Sequence, residues 1–285
     1  MAEPTDHPGP WRRVLVRVDP DRAELATDAC WAAGCAGIEE QDLGATTVLL
    51  AGFPDEASAL DGAERLRRLG LDDVAVEEVV DGGLDAWRPF ARAERAGRWW
   101  IVPTWREQTD LGPDERAVAI DPGSAFGSGS HPTTRLVVAA LDRTVLPGDR
   151  VLDVGCGSGV LSVVAALVGA GEVTAIDVDP HAGEATEANA RRNGVADRVL
   201  ASARPLASVV ADEPPYDVVA ANLLAPVVAE LAPDLVAAVA PGGLLVVSGL
   251  LEDRWSATTE LLAPLEVEAV DAEDGWVAVV LRARR

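Results

Sequence analysis

Lysine is missing from this sequence altogether: in 285 residues, all 24 cations are arginine. That absence excludes a Walker-type phosphate loop, which needs its lysine, and any chemistry that runs through a lysine Schiff base. Cysteine is scarce as well. Cys30, Cys35 and Cys156 are odd in number and lack metal-ligand spacing, so no metal site is expected, and buried thiols in a reducing cytoplasm are the default. Uninterrupted apolar runs are also lacking. The most hydrophobic region, "DVVAANLLAPVVAELAPDLVAAVAPGGLLVVSGLL", is cut by Pro226, Glu230, Pro233, Asp234 and Pro241, which argues against a membrane span. The opening "MAEPTDHPGP" has neither a basic start nor an apolar run, so no secretory leader is expected.

Negative charge, by contrast, is abundant. The formal net charge of −23 repels phosphate backbones and anionic lipids, which disfavours direct nucleic-acid or membrane binding and allows a basic partner. Biased coding or salt adaptation is the favoured account of the acidity itself. With 48% hydrophobic residues the chain can fill the core of one large domain or two ordinary ones.

Periodicity divides the chain. "RVLVRV" (13–18), "GIEE", "TTVLLA" and "VAVEEVV" read as strands, and 22–33 and 55–69 as helices. The order βαββαβ predicts a small ferredoxin-like α+β domain over residues 1–82 with no catalytic cluster, suited to recognition or scaffolding. Residues 83–112 read as a connector carrying four tryptophans, which are expected to form core between domains. Residues 113–285 read as a second domain, in which the pattern becomes alternating strand and helix from residue 145. "RVLDVG" (150–155), "EVTAID" (172–177), "YDVVAAN" (216–222), "GLLVVSG" (243–249) and the terminal "GWVAVVLRA" predict a doubly wound, mostly parallel α/β sheet of Rossmann-like type. Such sheets bind ligands at the carboxyl ends of their strands.

Those strand ends carry the polar groups. "LDVGCGSGVLS" places Gly155, Gly157 and Gly159 behind Asp153. Amides at a helix start suit a pyrophosphate, whereas an acid before the glycines suits a cationic ligand such as S-adenosylmethionine; both remain open on this motif. In "AIDVDPHAG" Asp177 closes a strand and can accept two ribose hydroxyls, while Asp179 before Pro180 reads as a helix cap and His181 as surface. "EPPYD" imitates a Pro-Pro-aromatic clamp but precedes its strand. "ANLLAP" follows the same strand, so Asn222 either faces the ligand as an acceptor for an amine or simply ends the strand in a turn. Upstream, "IDPGSAFGSGSHPTTR" (120–135) is a glycine-rich loop running into a helix that Thr133 or Thr134 is placed to cap.

Taken together, "FGSGSHPTT", "VLDVGCGSGVLS", "AIDVDP", "NARRNGV" and "ANLLAP" resemble the PrmA family, the methyltransferases of ribosomal large-subunit protein eleven. The stretch "AGRWWIVPTW" is similar to that family's segment between its two domains. The resemblance implies a class I methyltransferase domain behind a substrate-recognition domain, with S-adenosylmethionine as cofactor. It implies a cofactor site at Phe126, Gly127, His131, Thr134, Gly155, Gly157, Asp177 and Asn222, with Asn222 also catalytic and the glycine-rich loop acting as a flap. Two departures stand out: Ser128 replaces the more usual threonine, and "LASAR" (200–204) lacks the glycine common before the adenine pocket. The implied reaction is methylation of lysine and N-terminal amino groups on a basic ribosomal protein by a cytoplasmic monomer. A same-fold enzyme acting on another protein or a small molecule, and a cofactor-binding module without catalysis, are the alternatives.

Overall fold

The structure is a computed structural model; it describes residues 12–35, 37–42, 44, 46–53, 55–78, 92–106, 110–121 and 129–285. The chain forms two compact units, Met1–Phe90 and Ala91–Arg285.

The first unit runs β1 (Arg12–Val18), α1 (Ala23–Ala32), β2 (Gly37–Asp42), β3 (Thr47–Phe53), α2 (Glu56–Arg68) and β4 (Val74–Glu78). Its strands form one antiparallel sheet in the order β2-β3-β1-β4. Alternate residues of the two central strands, Val14, Val16 and Val18 with Leu49, Ala51 and Phe53, turn onto a buried core that includes Ala59, Ala63 and Leu66 of α2. Asp55 starts α2 by accepting the Ser58 amide at 2.8 Å. Burial pushes the Cys30 and Cys35 thiols up to about 12 and about 11, which keeps both protonated and unreactive.

The second unit begins with β5 (Glu94–Ala96), β6 (Trp99–Pro103) and β7 (Arg116–Ile120), a three-stranded sheet in which β5 pairs antiparallel and β7 parallel with β6. Residues 94–103 are therefore integral to this unit rather than a connector. The physical reason is in the alternation: Trp99 and Ile101 face inward into the unit's own core, and Trp99 Nε1 donates to Asp142 at 2.8 Å. Trp87 lies outside the described residues.

The main sheet follows with α3 (Pro132–Thr144), β8 (Arg150–Val154), α4 (Val160–Val168), β9 (Glu172–Ile176), α5 (Pro180–Arg192), β10 (Val199–Ser202), α6 (Leu206–Asp212), β11 (Tyr216–Asn222), α7 (Ala225–Ala238), β12 (Val239–Leu251), α8 (Trp255–Glu260), β13 (Glu266–Glu273) and β14 (Trp276–Arg282). Its order is β10-β9-β8-β11-β12-β14-β13, parallel through β12 and antiparallel at β14 and β13. Successive residues point to opposite layers: Val218 and Ala220 join one core, Val219 and Ala221 the other. Burial on both faces explains why these strands read as continuous apolar runs. Strand β13 carries no clear strand signal in the sequence because its residues are mostly exposed and half of them are acidic, as an edge strand's can be. The strand order reverses between β8 and β11, and an open sheet of this kind has its ligand crevice there, at the carboxyl ends.

Candidate active site

The chain leaves β8 through the glycine loop. Gly155 adopts φ +77°, and a Cβ there would stand 2.5 Å from Leu223 Cδ2, so only glycine fits the turn without strain. The amides of Gly155 and Cys156 both donate to Ile176 O, at 2.8 and 3.0 Å. Gly157 N donates to Asp177 Oδ2 at 2.9 Å, and Asp179 N donates to Asp177 Oδ1 at 2.9 Å. Asp177 is thus fixed by one backbone bond per oxygen. Each oxygen keeps acceptor capacity on a half-exposed side chain, which suits a pair of hydroxyls. Asp179 does what its sequence position predicts: it caps α5 by accepting the His181 amide at 2.9 Å, with Pro180 at the first helical position and His181 exposed.

Asp153, beneath this loop, is fully buried. Ser162 supplies both its amide and its hydroxyl to Oδ2, at 3.0 and 2.6 Å, while Oδ1 has no hydrogen-bond partner in the structure. Burial pushes this carboxyl from the usual 3.8 up to about 6, opposed by the Ser162 hydrogen bonds and reinforced by Asp177. A buried acceptor lacking a partner is stabilised by a positive charge or a donor nearby, so these residues fit a cationic cofactor. Val178, which the sequence reading passed over, is 93% exposed beside Asp177, an apolar surface suited to a planar base. Cys156 is buried, its thiol pushed up to about 12 chiefly by burial.

On the other side of Gly155, β11 ends at Asn222. Its Nδ2 donates to Thr134 Oγ1 at 3.5 Å, a long contact, and the side chain is half-buried. Thr134 stands in the first turn of α3, but neither threonine is the cap. His131 is: its Nδ1 accepts the Thr133 amide at 3.3 Å and lies 2.8 Å from Thr133 Oγ1. Pro132 explains the shift, since proline takes the first helical position and leaves the preceding residue as cap. The His131 ring packs edge-on against Trp276, with centroids 5.0 Å apart. Though the residue keeps an exposed edge, burial of the ring and then the nearby Arg135 charge lower its pKa, favouring the neutral form that a capping acceptor needs.

Gly129 also requires its small size: it sits at φ +85° with Ile101 Cγ2 only 2.3 Å from where a Cβ would be. Arg135 holds the Ser130 carbonyl and pairs with Glu273 at 2.7 Å. Phe126 and Gly127 lie outside the described residues. The structure therefore brings Gly157 to Asp177 and Thr134 to Asn222, with Gly155 touching the neighbouring Leu223, while His131 is occupied by its cap and by Trp276. "EPPYD" is a clasp at the far end of β11. There Tyr216 donates to Glu213 at 2.5 Å, Glu213 pairs with Arg204, and Arg150 covers the ring at 4.6 Å. Among the described residues no group of three or more His, Cys, Asp or Glu is placed to hold a metal, and no helix is long and apolar enough to cross a membrane.

Comparison with known proteins bears on this arrangement directly. Residues 55–284 match the family described as Ribosomal protein L11 methyltransferase (PrmA). A Ribosomal protein L11 methyltransferase of Dechloromonas aromatica (strain RCB) is 36% identical over 300 residues, covering 94% of this chain and 98% of that protein. One from Bacillus cereus (strain B4264) is 39% identical over 218 residues, 75% of this chain and 69% of its own. The crystal structure of a ribosomal protein L11 methylase from Lactobacillus delbrueckii subsp. bulgaricus aligns with a TM-score of 0.60 at 27% identity, covering 66% of this chain and 96% of the other. A doubly wound sheet with an acidic glycine loop at its switch point, together with identity along nearly the whole length, shows that the chain belongs to the ribosomal protein L11 methyltransferase (PrmA) family and is an S-adenosylmethionine-dependent methyltransferase.

Proposed function

We propose that the chain methylates amino groups of ribosomal protein L11, on lysine side chains and the N-terminal amine. The observation that carries this is the division of polar groups about Gly155: Gly157 with Asp177 on the β9 side, Asn222 with Thr134 on the β11 side. Asp177 would hold the cofactor's ribose, Val178 would lie against its adenine, and Asp153 would offset its positive charge, with Gly155 and Gly157 giving the backbone close approach. S-adenosylmethionine supplies, when bound, a methyl group on a sulfonium that is already a strong leaving system. The protein's task is then placement of a neutral amine in line with that methyl.

Lysine ionises near ~10.4 in water, so the site must favour the uncharged form, as burial near a cation does. A carboxamide suits that task better than a carboxylate. The Asn222 oxygen accepts an N–H and orients the amine without adding the negative charge that would hold it as ammonium. His131, whose Nδ1 is engaged as a helix cap, is assigned to loop structure or cofactor contact rather than to base catalysis, and the proton leaves to solvent.

The first domain, about residues 1–82, is assigned to recognition of the protein substrate. Its βαββαβ order, with the sheet order β2-β3-β1-β4, supports a ferredoxin-like type, and the cofactor-binding groups described above all belong to the second unit. A net charge of −23 complements a basic partner, so association should slow as salt rises. A cytoplasmic monomer without direct nucleic-acid contact completes the reading. Mass spectrometry of purified ribosomal protein L11, after incubation with the chain and S-adenosylmethionine, tests it. Mass gains of whole methyl groups mapped to lysines and the N-terminus are expected. An unchanged L11 beside a gain on another protein would move the assignment to a different substrate.

A further inference from the structure

The motif "NARRNGV" lies far in sequence from the glycine loop and from β7, yet its side chains reach both. Asn189 is fully buried on α5 and its carboxamide makes four hydrogen bonds. Its Nδ2 donates to Asp121 O at 2.8 Å and to Ser158 O at 2.9 Å, while its Oδ1 accepts from Asp121 N at 3.0 Å and from Arg192 at 2.8 Å. One side chain therefore ties the end of β7 to the glycine loop with all of its donors and both acceptor sites used.

Its neighbours on the helix divide that work. Thr186, three residues earlier and also fully buried, donates to Gly157 O at 3.2 Å. Asn193, four residues later, receives the Ala119 amide at 2.9 Å and donates to Ala119 O at 2.8 Å. Spacings of three and four put Thr186, Asn189 and Asn193 on one face of the helix and its C-terminal cap. That face holds the glycine loop at one end and β7, on the edge away from β6, at the other; Asn189 alone of the three bonds to both. Side-chain amides here replace the strand that would otherwise pair with β7.

We propose that Asn189 is a positioning residue for the cofactor: by fixing the Ser158 carbonyl against Asp121, it holds the glycine loop in the shape that receives S-adenosylmethionine. The loop carries the Gly157 amide that steadies Asp177. Loosening Ser158 shifts two cofactor-facing groups at once, although Asn189 touches neither the cofactor nor the acceptor amine. Asn193 supplies the matched comparison, because it makes a similar pair of backbone bonds to β7 but none to the loop.

The test is calorimetric titration of S-adenosylmethionine into Asn189→Ala, Asn193→Ala and Thr186→Val, with melting temperatures recorded on the same preparations. Asn189→Ala is expected to raise Kd about tenfold or more, with kcat at saturating cofactor near wild type. Asn193→Ala is expected to lower Tm while leaving Kd within about twofold, and Thr186→Val to raise Kd about threefold. A Kd unchanged in Asn189→Ala, or raised equally in Asn189→Ala and Asn193→Ala, would overturn the proposal, since the face would then serve stability alone. Should Asn189→Ala not fold, Thr186→Val decides by the same criterion: an unchanged Kd counts against the loop being held from α5.

Discussion

The two sides of the crevice are built differently. On the β9 side Asp177 and two carbonyls of the glycine loop are already held by backbone or buried side chains: Asp177 by two amides at 2.9 Å each, Gly157 O by Thr186, Ser158 O by Asn189. On the β11 side Asn222 is half-buried and reaches Thr134 only at 3.5 Å. A small ligand of invariant shape rewards groups fixed before it arrives, because no ordering cost falls on the binding step. An amine delivered on a protein rewards an acceptor weakly committed to its own fold, which turns to the incoming donor at little loss. The fixed side thus serves cofactor affinity, and the loosely tied side serves transfer.

The sharpest way to break this contrast is Asn222→Ala. Single-turnover methylation of L11 at saturating S-adenosylmethionine should slow by about 100-fold, the scale of a misplaced reactant, with cofactor Kd changed by no more than a few-fold. A rate near wild type would reduce Asn222 to a residue that ends a strand. Asp177→Ala should do the reverse. Charge-assisted hydrogen bonds contribute roughly 1.5–3 kcal/mol, so titration should show Kd raised about 10- to 100-fold while the rate at saturation stays close to wild type. Equal affinity would remove the ribose assignment.

Asp153 sharpens the comparison through pH. Its carboxyl is raised from 3.8 to about 6 in the fold, so the protonated form is favoured there. The resulting contribution to stability is fully present below the unfolded value and is lost as pH rises through about 6. A cationic ligand needs the ionised form. Titrations at falling pH should therefore show Kd climbing about tenfold per unit below that value, a slope absent in Asp153→Asn, whose affinity is weaker at neutral pH. A wild-type Kd independent of pH would separate Asp153 from the cofactor. The smallest effect belongs to Asp179→Ala, which loses a helix cap. Denaturant unfolding should register about 0.5–2 kcal/mol with cofactor affinity unchanged.

What the sequence disclosed follows the same division. Strands β8, β9 and β11 were readable to within a residue because burial on both faces makes them short apolar runs, and the glycines and acids after them are local signals. Asp179 was readable because Pro180 marks the helix start. The cap of α3 falls on His131 rather than on Thr133 or Thr134 because Pro132 takes the first helical position. The strand character of Trp99–Pro103 is hidden by its setting, since its parallel partner β7 begins only at Arg116. Asn189 could only be flagged by its motif: its partner Asp121 is 68 residues away, and such long-range pairings are set by tertiary packing rather than by local pattern. Phe126 and Gly127, the flap residues implied by resemblance, fall outside the described residues.

Separable duties on the two sides imply that damage to one leaves the other's contribution intact. The direct measurement is a double-mutant cycle on kcat/KM for S-adenosylmethionine, with L11 as acceptor, across wild type, Asp177→Ala, Asn222→Ala and the double variant. Independent sides predict losses that add to within about 0.5 kcal/mol. A coupling energy above about 1 kcal/mol would mean that Asp177 and Asn222 act as one unit, and would contradict the division drawn here.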